Sequence, residues 1–306
     1  MLYAQTTAQQ KRRALREKLA SGELVRMPGA FNPLSARLIE RKGFEGVYIS
    51  GAVISADLGL PDIGLTTLTE VAGRGQQIAR MTELPAIIDA DTGFGEPMNV
   101  ARTIQTLEDA GLAGTHIEDQ VNPKRCGHLD GKSVVDADTA IKRIRAAVDA
   151  RRDPDFLIMA RTDVRAVEGL DAAIDRAKAL VDAGADAIFP EALTTREMFQ
   201  EFAARMPGVK LLANMTEFGR TPFFTAEEFQ EMGYAMVIWP VSHLRVAAKG
   251  MEELYAAINR DGGTHKMIDR MQTRAELYKT IDYSAYEALD QTLVATVVPE
   301  AMPQRS

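Results

Sequence analysis

The chain has 306 residues, of which 46% are hydrophobic and 26% charged, with a formal net charge of −7. That composition belongs to a globular chain large enough to bury a core without staples, and the lack of a basic stripe interleaved with aromatics speaks against nucleic acid as a partner. The single cysteine, Cys126, leaves no intramolecular disulfide, no run of about 18 apolar residues offers a membrane span, and the polar, Lys- and Arg-rich stretch from Met1 to Leu19 lacks the apolar core of a signal peptide. The expectation is a soluble, cytoplasmic protein without a membrane partner.

Short apolar runs recur at 24–31, 46–50, 86–90, 114–117, 156–160, 187–189, 211–214 and 236–239. Each is short enough to be a strand buried on both faces. Amphipathic segments lie between them, at 68–81, 99–110, 138–150, 170–183 and 195–206. Two of these run into Ala-Gly, at Ala110-Gly111 and Ala183-Gly184, a helix C-terminal signal. Eightfold strand–helix alternation predicts an α/β fold, a (β/α)8 TIM barrel. An open doubly wound sheet is the alternative, but no G-x-G-x-x-G follows the first strand. No linker divides the chain, so we expect one domain: a barrel over about 13–261, a C-terminal helical extension over 262–290, and a loose tail over 291–306. A helical extension outside a finished barrel often docks on a partner subunit, which predicts an oligomer.

In such a barrel the chemistry sits at the C-terminal ends of the strands. The second run ends in Ser50-Gly51-Ala52, offering a hydroxyl and close backbone N–H groups to a carboxylate, or ordinary turn chemistry; Asp62 adds a loop carboxylate after it. The third ends in Asp89-Ala90-Asp91 and glycines. On an extended strand, carboxylates at i and i+2 share a side, and burying both without a cation is costly. A hard ion such as Mg²⁺ resolves that cost. Glu118 follows the fourth run, suited to holding the waters of such an ion, while His116 reads as a packed barrel histidine. Arg161 ends the fifth run, placed to pair with these acids or to clamp substrate oxygens. Glu191 ends the sixth, and Asn214 and Thr216 end the seventh as amide and hydroxyl donors. Arg245 and Arg274 are either carboxylate binders or surface residues at helix starts.

The lone cysteine sits in Lys124-Arg125-Cys126-Gly127-His128. Nearby cations stabilise a thiolate, so this thiol should titrate closer to neutrality than a free one. That makes it a good proton donor as well as a good nucleophile. A buried structural cysteine would sit in an apolar run, and this one does not. The loop from Gln120 to about Asp136, with Pro123, Gly127 and Gly131, reads as a mobile lid. Acids for a metal, a thiol on a lid and several cationic or neutral donors suit a small di- or tricarboxylate.

Together these residues resemble the isocitrate lyase / phosphoenolpyruvate mutase superfamily, over about Arg13 to Asp290. The carrying motifs are Tyr48-Ile49-Ser50-Gly51-Ala52, Leu58-Gly59-Leu60-Pro61-Asp62, Asp89 to Gly95, Ile117-Glu118-Asp119-Gln120, Lys124 to His128, Met159 to Asp163, Phe189-Pro190-Glu191-Ala192, Asn214 to Phe218 and Met271 to Arg274. Isocitrate lyases proper are longer, so length favours the branch that cleaves methylisocitrate. Ala52 stands where the family usually has glycine.

The resemblance implies Mg²⁺-dependent retro-aldol cleavage of 2-methylisocitrate to pyruvate and succinate, with Mn²⁺ as a possible substitute. It assigns the metal to Asp89 and Asp91, with Glu118 and Asp62 acting through waters. Arg161 would stabilise the nascent pyruvate carbonyl oxygen, and Cys126 would protonate the succinate carbon. Lys124, Arg125 and His128 would tune the thiol and neutralise the anion. The base is left between Tyr48, a metal-bound water and a neighbouring acid. Ser50, Gly51, Ala52, Glu191, Asn214, Thr216, Arg245 and Arg274 would orient substrate carboxylates. The family implies a homotetramer, a dimer of dimers, with a swapped C-terminal helix. Rival readings are an oxaloacetate hydrolase, a dimethylmalate-type lyase, an isocitrate lyase, a phosphonate enzyme, which the intact Cys126 loop disfavours, and a non-catalytic barrel.

Overall fold

The computed structural model describes residues 3–125 and 131–294. Eight parallel strands form one sheet: β1 (Val25–Pro28), β2 (Val47–Ile49), β3 (Ala86–Asp89), β4 (Gly114–Glu118), β5 (Leu157–Thr162), β6 (Ala187–Pro190), β7 (Lys210–Asn214) and β8 (Met236–Trp239). The order runs β1-β8-β7-β6-β5-β4-β3-β2. Closure comes from a parallel bridge between Gly29 and Tyr48, where Ala30 N donates to Tyr48 O at 2.8 Å. This is the expected (β/α)8 barrel, and every predicted strand overlaps an observed one.

The strands show no in–out polarity. All residues of β3, β4, β5 and β6 are buried, because helices cover the outer face and side chains fill the inside. Two apolar cores result. One lies between the sheet and its helices, with Ile88, Ile104, Ile158 and Phe202 among its members. The other fills the barrel, with Met27, Ile87, Met159, Phe189, Leu212 and Ile238. Leu15 and Leu19 belong to that inner core. They come from a helix over Ala8–Ser21, started by a Thr7/Gln10 capping box. The stretch that reads only as polar is therefore amphipathic, and it lends two leucines to the barrel interior.

The five helices anticipated between strands appear as Leu68–Ala79, Pro97–Asp109, Ala137–Ala150, Leu170–Asp182 and Arg196–Arg205. The extension is helical, as expected, in several short pieces. It contains a short 3-10 turn (Ile268–Arg270) and helices over Arg274–Thr280 and Tyr283–Val294. Its contacts run back to the helix Pro33–Arg41: Arg37 pairs with Asp282, and Arg41 donates to the Lys279 carbonyl. Of the tail expected over 291–306, residues 291–294 instead continue the helix Tyr283–Val294, and 295–306 lie outside the described residues. Among the described residues, no helix is long and apolar enough to cross a membrane.

Candidate active site

The acids at the end of β3 are brought together by the backbone. Asp89 is the last strand residue, but Asp91 lies beyond it with φ 47, in the left-handed region. The simple alternation expected of an extended Asp-x-Asp therefore does not apply. The chain turns so that Asp91 N donates to Asp89 Oδ1 at 2.9 Å, which folds the two carboxylates against each other. Gly51 N donates to Asp89 Oδ2 at 3.2 Å. A Cβ on Gly51 would stand 3.0 Å from Asp89 Oδ2 and 3.1 Å from Asp91 Oδ1, so both acids face this glycine. Lys124 Nζ, nearly buried, lies 2.6 Å from Asp91 Oδ1 and 2.6 Å from Asp62 Oδ1.

This packing sets the charges. Burial alone would raise Asp89, but the positive charges around it, Lys124 and Arg161 among them, outweigh that and hold it at about 2. Burial pushes Asp91 up to about 6, helped by the charge of Asp89 and opposed by Lys124. Burial likewise raises Glu118 well above the usual range, against the pull of Arg161 and Lys124. For Lys124, burial is outweighed by Asp89, Glu118, Asp91 and Asp62, which keep the ammonium charged.

Across the barrel mouth stands Arg161, nearly buried at the end of β5. Its Nε donates to Asp163 Oδ2 at 3.0 Å and its Nη2 to Asp163 Oδ1 at 3.2 Å. Nη1 reaches Glu118 Oε2 at 3.3 Å, and Nε lies 3.9 Å from Glu191 Oε2. The guanidinium carbon is 5.2 Å from the Phe189 ring centroid. Asn214 Nδ2 donates to Glu191 Oε2 at 3.3 Å. Lys132 Nζ donates to Asp163 Oδ1 at 2.7 Å, with both side chains buried. Buried charges survive only when paired, and here they are paired in a ring.

Tyr48 and His116 close the floor. Their hydroxyl and Nε2 share a hydrogen bond of 2.6 Å, and the rings stack 5.9 Å apart. Burial holds His116 at about 4, so it is neutral, as the packed histidine expected. Burial and the charge of Asp89 raise the Tyr48 phenol well above its ordinary value. A phenol so placed keeps its proton and serves as a donor; this geometry counts against it as a base.

Ser50 caps the helix Gly51–Asp57 by position only, with no side-chain capping bond, and is buried at the same mouth; Ala52 is half-buried. Thr216 accepts from Arg245 Nη1 at 3.3 Å, and the same nitrogen lies 2.9 Å from Glu217 Oε2. Arg245 thus joins the end of β7 to the helix after β8. Arg274 is exposed as the first residue of the helix Arg274–Thr280, away from the buried ring. Within one chain the structure does not bring it to the other site residues. Cys126 and His128 lie outside the described residues.

Three members of the site carried little sequence signal. Lys124 was expected beside the thiol, but it contacts Asp62 and Asp91. Lys132 and Asp163 had no assigned role, yet they hold Arg161. The signal available was Arg-x-Asp at the end of β5: a buried Arg needs an anion, and Asp163 shares its side of the strand.

Cation chemistry fits the β3 corner. Asp91 Oδ1 is buried with the Lys124 ammonium against it, Glu118 Oε2 faces Arg161 Nη1 at 3.3 Å, and Glu118 Oε1 is buried and accepts no hydrogen bond among the described residues. Mg²⁺ needs only one or two protein carboxylates and keeps several waters. Among the described residues no three His, Cys, Asp or Glu side chains form a closed metal cage, which leaves an ion here to complete its shell with water and ligand oxygens.

Comparison with known proteins agrees with this geometry. The family model described as phosphoenolpyruvate phosphomutase matches residues 15–259. The chain belongs to the phosphoenolpyruvate phosphomutase family. Among family relatives, "Probable 2-methylisocitrate lyase 1" of Corynebacterium glutamicum is 58% identical over 281 residues, covering 92% of each chain. The 2-methylisocitrate lyase of Bacillus subtilis is 45% identical, covering 93% of this chain and 94% of its own. A solved family member, 2,3-dimethylmalate lyase, superposes with a TM-score of 0.87 at 36% identity, covering 98% of this chain and 99% of that one. Phosphonopyruvate hydrolase, solved with oxalate and Mg²⁺, superposes with a TM-score of 0.83 at 30% identity, covering 92% and 98%.

Proposed function

We propose that this chain is a Mg²⁺-dependent carbon–carbon lyase that cleaves 2-methylisocitrate to pyruvate and succinate. The observation that carries the reading is the meeting, at one barrel end, of the paired carboxylates Asp89 and Asp91 with the buried guanidinium of Arg161, in a chain 58% identical to a relative named for that activity.

Asp89 and Asp91 would hold Mg²⁺, with Glu118 and Asp62 placed to orient its waters. When bound, the ion supplies positive charge to the substrate's hydroxyl and adjacent carboxylate oxygens. A neighbouring carboxylate in its ionised form removes the hydroxyl proton; Glu118, paired with Arg161 and not assigned to hold the ion directly, is the candidate beside the site. The C2–C3 bond then breaks, its electron pair leaving with C3, while C2 and its oxygen become the pyruvate carbonyl. Arg161, fixed by Asp163, stabilises that oxygen with charge already in place. Tyr48 offers a phenol proton as a further donor. Cys126 returns one proton to C3, giving succinate. Ser50, Gly51, Ala52, Asn214, Thr216 and Arg245 stand along the mouth, where substrate carboxylates would be oriented, with Glu191 holding Asn214.

Turnover of the purified protein with Mg²⁺ tests this, with 2-methylisocitrate and isocitrate compared and pyruvate and glyoxylate detected separately. Pyruvate from 2-methylisocitrate with little glyoxylate supports the reading. Dominant glyoxylate points to isocitrate cleavage, and silence on both transfers the weight to dimethylmalate or oxaloacetate chemistry.

The extension exposes Ile268 and Leu293, and the last barrel helix, Ser242–Asp261, exposes Val246 and Tyr255. Such side chains suit subunit contacts, so the single-domain chain is proposed to form a homotetramer with the extension swapped. Light scattering that returns a mass other than four times 33.5 kDa would overturn this. A free thiol as acid also suits the reducing cytoplasm.

A further inference from the structure

The position of Lys124 has a consequence for cation binding, one that rests on the Mg²⁺ reading above. Its Nζ lies 2.6 Å from Asp62 Oδ1 and 2.6 Å from Asp91 Oδ1. It is 3% exposed, with Asp89 and Glu118 close enough to act on its charge. Neither of those two carboxylate oxygens accepts a hydrogen bond from any other described residue. An ammonium thus sits between acids from two different loops, against oxygens that would face the divalent ion. We propose that Lys124 is a built-in stand-in for the cation: its ammonium neutralises the acid corner of the metal-free protein, and Mg²⁺ binds by displacing it.

The charges make the exchange necessary. Asp62, Asp89, Asp91 and Glu118 bring four carboxylates to one corner, and besides Lys124 the described cation acting on Asp89 and Glu118 is Arg161, which is itself held by Asp163. Buried like charges without a counter-ion are costly, so the metal-free protein gains from a cation it carries itself. A divalent ion replaces one positive charge with two, and both cannot share Asp91 Oδ1 without repulsion. The displaced side chain has room to move. Its Cγ lies 3.6 Å from where a Cβ on Gly64 would be, and no Cβ is there. Gly64, Asp91 and Asn122 also line a cleft of about 470 Å³. The apparent affinity for Mg²⁺ is then reduced by the fraction of molecules whose corner is free of the ammonium.

The test is titration calorimetry of the metal-stripped full-length protein with MgCl₂ at pH 8. Lys124→Met keeps the stem and removes the charge. It should bind Mg²⁺ about tenfold tighter than the parent, the factor expected if the ammonium occupies the corner in about nine molecules of ten. Without metal it should melt at a lower temperature than the parent, and saturating Mg²⁺ should close that gap. Equal or weaker binding by Lys124→Met, with Asp91→Asn abolishing the binding seen in the parent, overturns the stand-in and leaves the metal site in place. No binding by the parent overturns both. If Lys124→Met does not fold, the parent itself answers through acetylation mapped by mass spectrometry. Mg²⁺ should raise labelling of Lys124 several-fold while leaving the exposed Lys178 unchanged, and unchanged labelling of Lys124 overturns the proposal.

Discussion

Arg161 is useful only where it is held, and Asp163 holds it. That carboxylate is fully buried and takes two bonds from Arg161 and one from Lys132. Burial would raise it, but Arg161 and Lys132 keep it below the usual carboxylate range and charged. Asp163→Asn keeps the shape and removes the charge, leaving two buried cations short of an anion. Arg161 should then swing toward Glu118 and Glu191. A misplacement of about 1 Å in a positioning group can cost about 10²-fold in rate, so kcat should fall by about that factor with Mg²⁺ affinity unchanged. Steady-state kinetics beside metal titration checks this, and a variant with parental kcat removes Asp163 from the mechanism. Arg161, Asp89 and Glu118 were legible in the sequence because each ends an apolar run, where an ion needs a reason. The partners of Lys124 and Lys132 were not. A loop lysine has no periodic pattern, and its anion is chosen by how the loop closes over the barrel.

At the scale of elements, periodicity did its work wherever an element is buried on a regular schedule. The eight strands were visible as apolar runs because both faces are covered, and five helices were visible because each buries one stripe. Less legible were elements defined by their ends. The helix Pro33–Arg41 starts at the Asn32 cap with proline in its first turn, and Gly51–Asp57 has only seven residues. That short helix matters most to the site, since its first residue donates to Asp89 and faces Asp91. Gly51 has ordinary helical geometry, so alanine is allowed by the backbone and should favour the helix by up to about 1 kcal/mol. Its Cβ, however, would press on Asp89 Oδ2 at 3.0 Å and Asp91 Oδ1 at 3.1 Å. Gly51→Ala should therefore lose no more than about 1 kcal/mol of unfolding free energy, yet bind Mg²⁺ at least about tenfold more weakly, since a carboxylate shifted by a few tenths of an ångström no longer meets a small octahedral ion. Parental affinity in calorimetry would show that the glycine is there for the turn alone.

For the whole molecule, two histidines packed neutral give folding a pH dependence. His116 lies inside the barrel and His243 at the start of the last barrel helix, stacked 5.2 Å from Phe31 over Gly29. Burial lowers each to about 4, with Glu217 opposing the shift at His243. In the unfolded chain a histidine titrates near 6.5. Between these values the unfolded state binds a proton that the folded state refuses, so stability is present in full above about 6.5 and lost as pH falls toward 4. Asp91 and Glu118, raised by burial, act in the opposite direction over part of this range, so the total slope is a compromise and a difference between variants is the informative quantity. His243 is the cleaner probe because the charge acting on it is that of Glu217, not that of Asp89 or Asp91. His243→Phe keeps the stack on Phe31 and removes the titration. Between pH 7.5 and pH 5, its unfolding free energy should fall by about 1 kcal/mol less than that of the parent, allowing for the partial exposure of the ring. Urea denaturation at the two pH values measures this directly. Equal losses in parent and variant would mean that His243 takes up its proton as readily in the folded as in the unfolded chain, and that the pH response lies with other groups.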